Sequence, residues 1–146
     1  MGEIEERIMN SCSKISKQWG LGAPLGRILG FMLLESRPLT QSEIERGSGY
    51  SKGLVSRSLT KMRELGIVEV ERNGRELRYQ LRFSLLSILS LMVERFLEEE
   101  VKPILENLSE MDGNEGRRKN LERMTKEYSA LSTAIRSFSS ILKEYR

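Results

Sequence analysis

At 146 residues the chain has the length of one domain, or of one domain with extensions, and a folded chain of that size buries roughly 70% of the surface it exposes when unfolded. A composition that is 38% apolar and 31% charged, with net charge +3, is too apolar for disorder and too charged for a membrane protein. The lack of any His excludes His-dependent triads and His metal sites, and a single Cys excludes intrachain disulfides and thiolate zinc sites, so the composition points away from an enzyme and no cofactor is expected.

The start, Met1-Gly2-Glu3-Ile4-Glu5-Glu6-Arg7, is polar and acidic, unlike a signal peptide. The apolar stretches 21–34 and 85–93 are interrupted and too short to span a bilayer. A soluble cytoplasmic protein without membrane contact is expected.

Ile4, Ile8, Cys12, Ile15 and Trp19 recur at helical steps and predict a helix over 3–19. Gly20 to Gly22 stops it. This glycine run, with Gly26, follows a helix rather than a strand and lacks a Lys-Ser/Thr ending, so it reads as a helix–helix turn and not as a phosphate loop. Pro24 suits the first turn of a second helix, whose buried side is Leu25, Ile28, Leu29, Met32 and Leu33. Pro38 ends it. Thr40-Gln41-Ser42-Glu43 is a capping box that opens a short helix over 41–47. After Gly47-Ser48-Gly49, Ser51 can cap a further helix over 52–65, ended by Gly66. Helices joined by a tight Gly-containing turn make a helix-turn-helix.

The periodicity then changes to two. Residues 67–71 and 76–82 alternate and are rich in β-formers, and Arg72-Asn73-Gly74-Arg75 lies between them. Asn73-Gly74 at the centre predicts a two-residue hairpin turn with both residues at positive φ. A helix-turn-helix followed by such a hairpin is a winged helix. A long helix is expected over 84–110, kinked or split by Pro103. The acidic run Glu98-Glu99-Glu100 has no ligand spacing for a metal and reads as a solvated face. A last helix over 117–146 carries Leu121, Met124, Tyr128, Leu131, Ile135, Phe138, Leu142 and Tyr145 at alternating steps of three and four, a heptad seam. The seam needs a partner: the chain's own first or fifth helix, or a second copy, which is favoured because two-fold dimers are the commonest assembly. Ile4 and Ile8 join the seam residues Leu121, Met124, Tyr128, Leu131, Ile135, Phe138 and Leu142 as the candidate dimer interface.

Charge is uneven. Residues 51–83 hold eight basic and four acidic side chains, whereas residues 84–116 hold two and eight. A cationic module beside an acidic one suggests a polyanion partner for the former. On the helix over 52–65, Leu54, Val55, Leu59, Met62 and Leu65 point to the core. The opposite side offers Lys52, Gly53, Ser56, Arg57, Thr60, Arg63 and Glu64, with Lys61 on the flank. A small, polar, cationic helix face fits a major groove, where Arg can bond both acceptors of guanine, while Lys61 suits a phosphate and Leu54 a thymine methyl. The tip, Arg72, Asn73 and Arg75, suits an adjacent minor groove. Cys12 reads as a small core residue.

The runs Trp19-Gly20-Leu21, Gly26-Arg27-Ile28-Leu29-Gly30, Arg37-Pro38-Leu39-Thr40 and Ser51-Lys52-Gly53-Leu54-Val55-Ser56-Arg57 resemble the GbsR-type branch of the MarR-like winged-helix transcription regulators, over about residues 15–82. The resemblance implies a dimer held by terminal helices that binds semi-palindromic DNA, usually as a repressor, with Ser51, Lys52, Gly53, Ser56 and Arg57 on the recognition helix and 72–75 on the wing. It departs from that family's pattern at Ser48, usually apolar there, and at Leu54, usually small and polar. Some such proteins respond to a small effector; the scattered aromatics here form no recognisable cage, and no ligand is predicted.

The expected fold is therefore mainly α with a small β-hairpin (α+β): a winged helix-turn-helix over 20–83, flanked by dimerisation helices at 1–19 and 84–146. The expected function is DNA-binding transcription regulation on double-stranded DNA. The alternative is a protein-interaction adaptor of the transcription machinery that does not bind DNA specifically.

Overall fold

A computed structural model describes residues 2–82, 84–111 and 113–145; Phe83, Asp112 and Arg146, at expected boundaries, lie outside them. The elements run α1 (Glu3–Gln18), α2 (Ala23–Glu35), β1 (Leu39–Thr40), α3 (Gln41–Ser48), α4 (Lys52–Glu64), β2 (Val68–Asn73), β3 (Glu76–Leu81), α5 (Leu85–Phe96), a π-helical segment (Leu97–Val101), α6 (Lys102–Glu110) and α7 (Glu115–Glu144). They divide into two compact units, residues 1–84 and 85–146.

In the first unit α1 packs on α2. The close approach depends on glycine. A Cβ on Gly26 would lie 2.2 Å from the Cys12 carbonyl oxygen, and one on Gly30 would lie 3.0 Å from the Met9 Cα. The face of α1 turned to α2 is thus Met9, Cys12, Ser13 and Ser16, with the Ser13 and Ser16 hydroxyls donating to the Ala23 and Gly22 carbonyls at 2.8 Å. The stripe of Ile4, Ile8, Ile15 and Trp19 is left exposed. Cys12, expected as a core residue, is half-buried, and burial pushes its thiol pKa up.

The core joins Leu25, Ile28, Phe31 and Met32 of α2 to Ile44, Val55, Leu59 and Met62 of α3 and α4. Phe31, which the pattern of α2 did not single out, lies against Gly47: a Cβ there would fall 2.0 Å from the ring. Leu29 and Leu33, expected inside, are half-buried.

The sheet has three antiparallel strands in the order β1-β3-β2. Two-residue β1 was not foreseen, being too short to show alternation. The hairpin register also differs from expectation. Asn73 pairs with Glu76, so the two turn residues are Gly74 and Arg75, and only Gly74 has positive φ (68°). This is the pattern of a turn with Gly in first place, not of one centred on Asn-Gly. Charge explains the choice. The observed register sets Val68 opposite Leu81, Val70 opposite Tyr79 and Glu71 opposite Arg78. The expected one would also pair two valines with apolar partners, but it would set Glu71 against Glu76 and Arg72 against Arg75, opposing like charges twice.

In the second unit, the helix expected over 84–110 is divided at the π-helical segment. Pro103, which has no N–H to donate, then falls in the first turn of α6, where none is needed. Val93, Leu97, Val101 and Ile135 form the core, flanked by Leu105 and Tyr128. The heptad seam of α7 is divided. Ile135 and Leu142 are buried within the unit, Leu121 and Tyr128 are half-buried, and Met124, Leu131, Phe138 and Tyr145 are exposed. Ser132 and Ser139 complete the inward face. Ser139 lies 3.3 Å from the Ser90 hydroxyl and donates to Glu94, which also pairs with Lys143.

Candidate nucleic-acid interface

The turn into α4 is built residue by residue. Gly49 takes φ 78° and closes α3, and the buried Ser48 hydroxyl accepts from the Tyr50 N–H at 3.3 Å. Ser51 then caps α4, its Oγ accepting from the Leu54 N–H at 3.3 Å. At the other end Gly66, at φ 76°, lets the Ile67 N–H reach the Met62 carbonyl, satisfying an end carbonyl of the helix.

With its ends set, α4 buries Val55, Ser58, Leu59 and Met62 and exposes Ser51, Lys52, Gly53, Ser56, Arg57, Thr60 and Lys61. Leu54 is half-buried at the edge between the two faces. The Thr60 hydroxyl donates to the Ser56 carbonyl, so it keeps only acceptor capacity for a partner. Arg72, Asn73 and Arg75 are exposed on the hairpin. The Gly74-Arg75 turn puts Arg75 at the extreme tip, and Arg72 stands opposite Leu77.

The cations of this unit fall into two sets. Arg27, Arg37, Arg78 and Arg82 are engaged with Glu6, with Glu35 and Glu43, with Glu76 and with Glu69, respectively. Among the described residues, Lys52, Arg57, Lys61, Arg72 and Arg75 form no ion pair. Arg7, Lys14, Lys17, Arg46 and Arg63 are likewise without an ion pair among the described residues, so open charge lies on α1 and α3 as well as on the outer face of α4 and on the hairpin.

Sequence reasoning did not single out Gln41, Ser42 or Arg46. They line a concavity with Arg75 and Tyr79, beside the N-terminus of α3, and the Gln41 amide donates to the Lys52 carbonyl at 3.3 Å. The signal for Gln41 and Ser42 was present in the capping box; their nearness to the wing required the β1–β3 pairing.

Residues 19–78, which contain the whole helix-turn-helix and most of the hairpin, match the model of the MarR family. A crystal structure of a transcriptional regulator is similar over 97% of this chain and 97% of its own, with TM-score 0.66 and 16% identity. Residues 19–78 carry a MarR-type winged helix. Two Staphylococcus aureus MepR structures also align: one of a multidrug efflux pump regulator, covering 88% of this chain and 93% of that one at 18% identity and TM-score 0.47, and a mutant bound to an oligodeoxyribonucleotide, covering 88% and 92% with the same identity and score. No functionally curated protein matches the chain. No helix among the described residues is long and apolar enough to cross a membrane.

Proposed function

We propose that this chain is a cytoplasmic, homodimeric transcription regulator, nearest the GbsR-type branch by its motifs, that acts as a repressor on semi-palindromic DNA. The observation that carries the reading is the outer face of α4: unpaired Lys52 and Arg57, small Gly53 and Ser56 between them, and nothing of the first unit covering them. The face enters the major groove, where an Arg fork matches guanine. Arg72, Asn73 and Arg75 reach the neighbouring minor groove, and Lys61, Gln41 and Ser42 meet phosphates. Ile4, Ile8 and the seam of α7 hold the two copies, so that two α4 helices meet the duplex about one turn, ~34 Å, apart. No effector is assigned.

The test is titration of a duplex selected from a random pool, at several salt concentrations. About six phosphate contacts per dimer give a log–log salt slope near −5. Arg57→Ala should weaken specific binding by about 1–3 kcal/mol with the fold retained. A flat salt dependence, or binding indifferent to alanine at Arg57, Arg72 and Arg75, would replace this reading with the adaptor.

A further inference from the structure

We propose that Arg27 is a positioning residue of the DNA interface, a single guanidinium that ties α1 to the turn launching α4. The inference rests on the DNA-binding reading above. Arg27 stands on α2, away from the exposed face of α4, and its side chain is 17% exposed. Its Nε donates to the Ser48 carbonyl at 2.7 Å. Its Nη2 and Nη1 donate to the two carboxylate oxygens of Glu6 at 2.8 and 3.0 Å, and Nη1 also donates to Asn10 Oδ1 at 3.1 Å. The guanidinium carbon lies 6.0 Å from the centroid of the Tyr50 ring.

Each partner has a consequence. Ser48 ends α3, so its carbonyl is one of those that the helix itself leaves unbonded, at the end where a cation is favoured. Residues 48 to 51 are the whole connection from α3 to the cap of α4. Fixing the Ser48 carbonyl, while the Ser48 hydroxyl holds the Tyr50 N–H, fixes where α4 begins. On the other side Glu6 and Asn10 are one turn apart on α1, the helix whose Ile4 and Ile8 are exposed. A shift of α1 is thus passed to the launch of α4 through a rigid, planar fork. A Lys, with one point charge on a flexible stem, cannot hold a bidentate carboxylate and a carbonyl on opposite sides.

The experiment compares the full-length Arg27→Gln, Arg27→Lys and Glu6→Gln variants with Arg57→Ala. Binding to the selected duplex and to a scrambled one is measured across salt, together with melting temperature. Arg27→Gln and Arg27→Lys should each lose about tenfold in affinity for the selected duplex, as expected when hydrogen bonds to a charged group are removed. Scrambled-duplex affinity and salt slope should stay unchanged, because no phosphate contact is lost. Glu6→Gln, which keeps the Ser48 bond, should lose less. Arg27→Lys binding like the parent overturns the proposal. So does an equal loss on both duplexes with a shallower slope, which marks a direct phosphate contact, or a loss that merely follows the folded fraction. Should Arg27→Gln fail to fold, Arg27→Lys and Glu6→Gln decide by the same criteria. Loss of binding in Arg57→Ala with intact Arg27 variants overturns this inference alone; indifference of Arg57→Ala overturns the DNA reading beneath it.

Discussion

Glu6 and Glu43 show how far single residues tie this unit together. The Glu6 carboxyl is held below the ordinary carboxylate range first by its hydrogen bonds to Arg27 and then by that residue's charge. Glu43 is lowered by Arg37, which donates at 2.7 Å, and to a lesser degree by the Thr40 hydroxyl and backbone N–H of the capping box. On acidification the unfolded chain therefore takes up protons at these positions before the folded one does. Their stabilisation is complete at neutral pH and begins to fail as pH drops through the ordinary carboxylate values, ~4–4.5. It is gone below the depressed folded-state values. Urea midpoints measured from pH 6 to pH 3 should fall, and Glu6→Gln should start lower and fall less. A Glu6→Gln profile parallel to the parent's would show that the ion pair contributes nothing. Thr40 and Glu43 were legible as a capping box from their spacing alone. Arg27 was not: in sequence it is one more basic residue, and its partners lie 17 and 21 positions away.

At the scale of elements, most helix limits follow from local signals. Ser51 and Gly66 bracket α4, and Thr40 opens α3, because caps and left-handed glycines act within four residues. Contacts between elements did not follow. The pairing of α1 with α2 depends on Gly26 and Gly30, whose partner no local signal names. Gly26→Ala would press a methyl into the Cys12 carbonyl, and the helices would have to part. Overpacking of this kind costs about 1–3 kcal/mol. A thermal melt of Gly26→Ala should show a clear drop in Tm, whereas Gly53→Ala, whose Cβ meets only the Arg57 side chain at 3.5 Å, should leave it nearly unchanged. Equal melting temperatures would mean that α1 is not seated as described. The hairpin belongs to the same scale: Asn73-Gly74 is a strong turn signal, yet the sheet chose Gly74-Arg75, the register that sets Glu71 opposite Arg78 rather than opposite Glu76.

For the whole molecule, the divided seam of α7 is the feature that matters. One side, through Ile135 and Leu142, builds the chain's own second core, while Met124, Leu131, Phe138 and Ile141 stay exposed. In the proposed dimer the exposed side carries the association. Phe138→Asp should then turn a particle of twice the chain mass into one of single mass by light scattering. Its melting temperature should lose the dependence on protein concentration that a dimer imparts, while the helical content stays, since Phe138 is 44% exposed in the single chain. A parent protein of single chain mass would rule out the two-fold arrangement. The amino-acid sequence by itself determined the order of the helices and the hairpin, the inward and outward faces of α4 and the division of the long helix ahead of Pro103, because caps, turns and helical periodicity act over a few neighbouring residues. Only the tertiary structure decided the hairpin register, the two sides of α7 and the partners of Arg27. Each of those depends on which of several locally acceptable pairings buries more apolar surface, opposes fewer like charges or satisfies more buried polar groups, and that comparison exists only once distant segments meet.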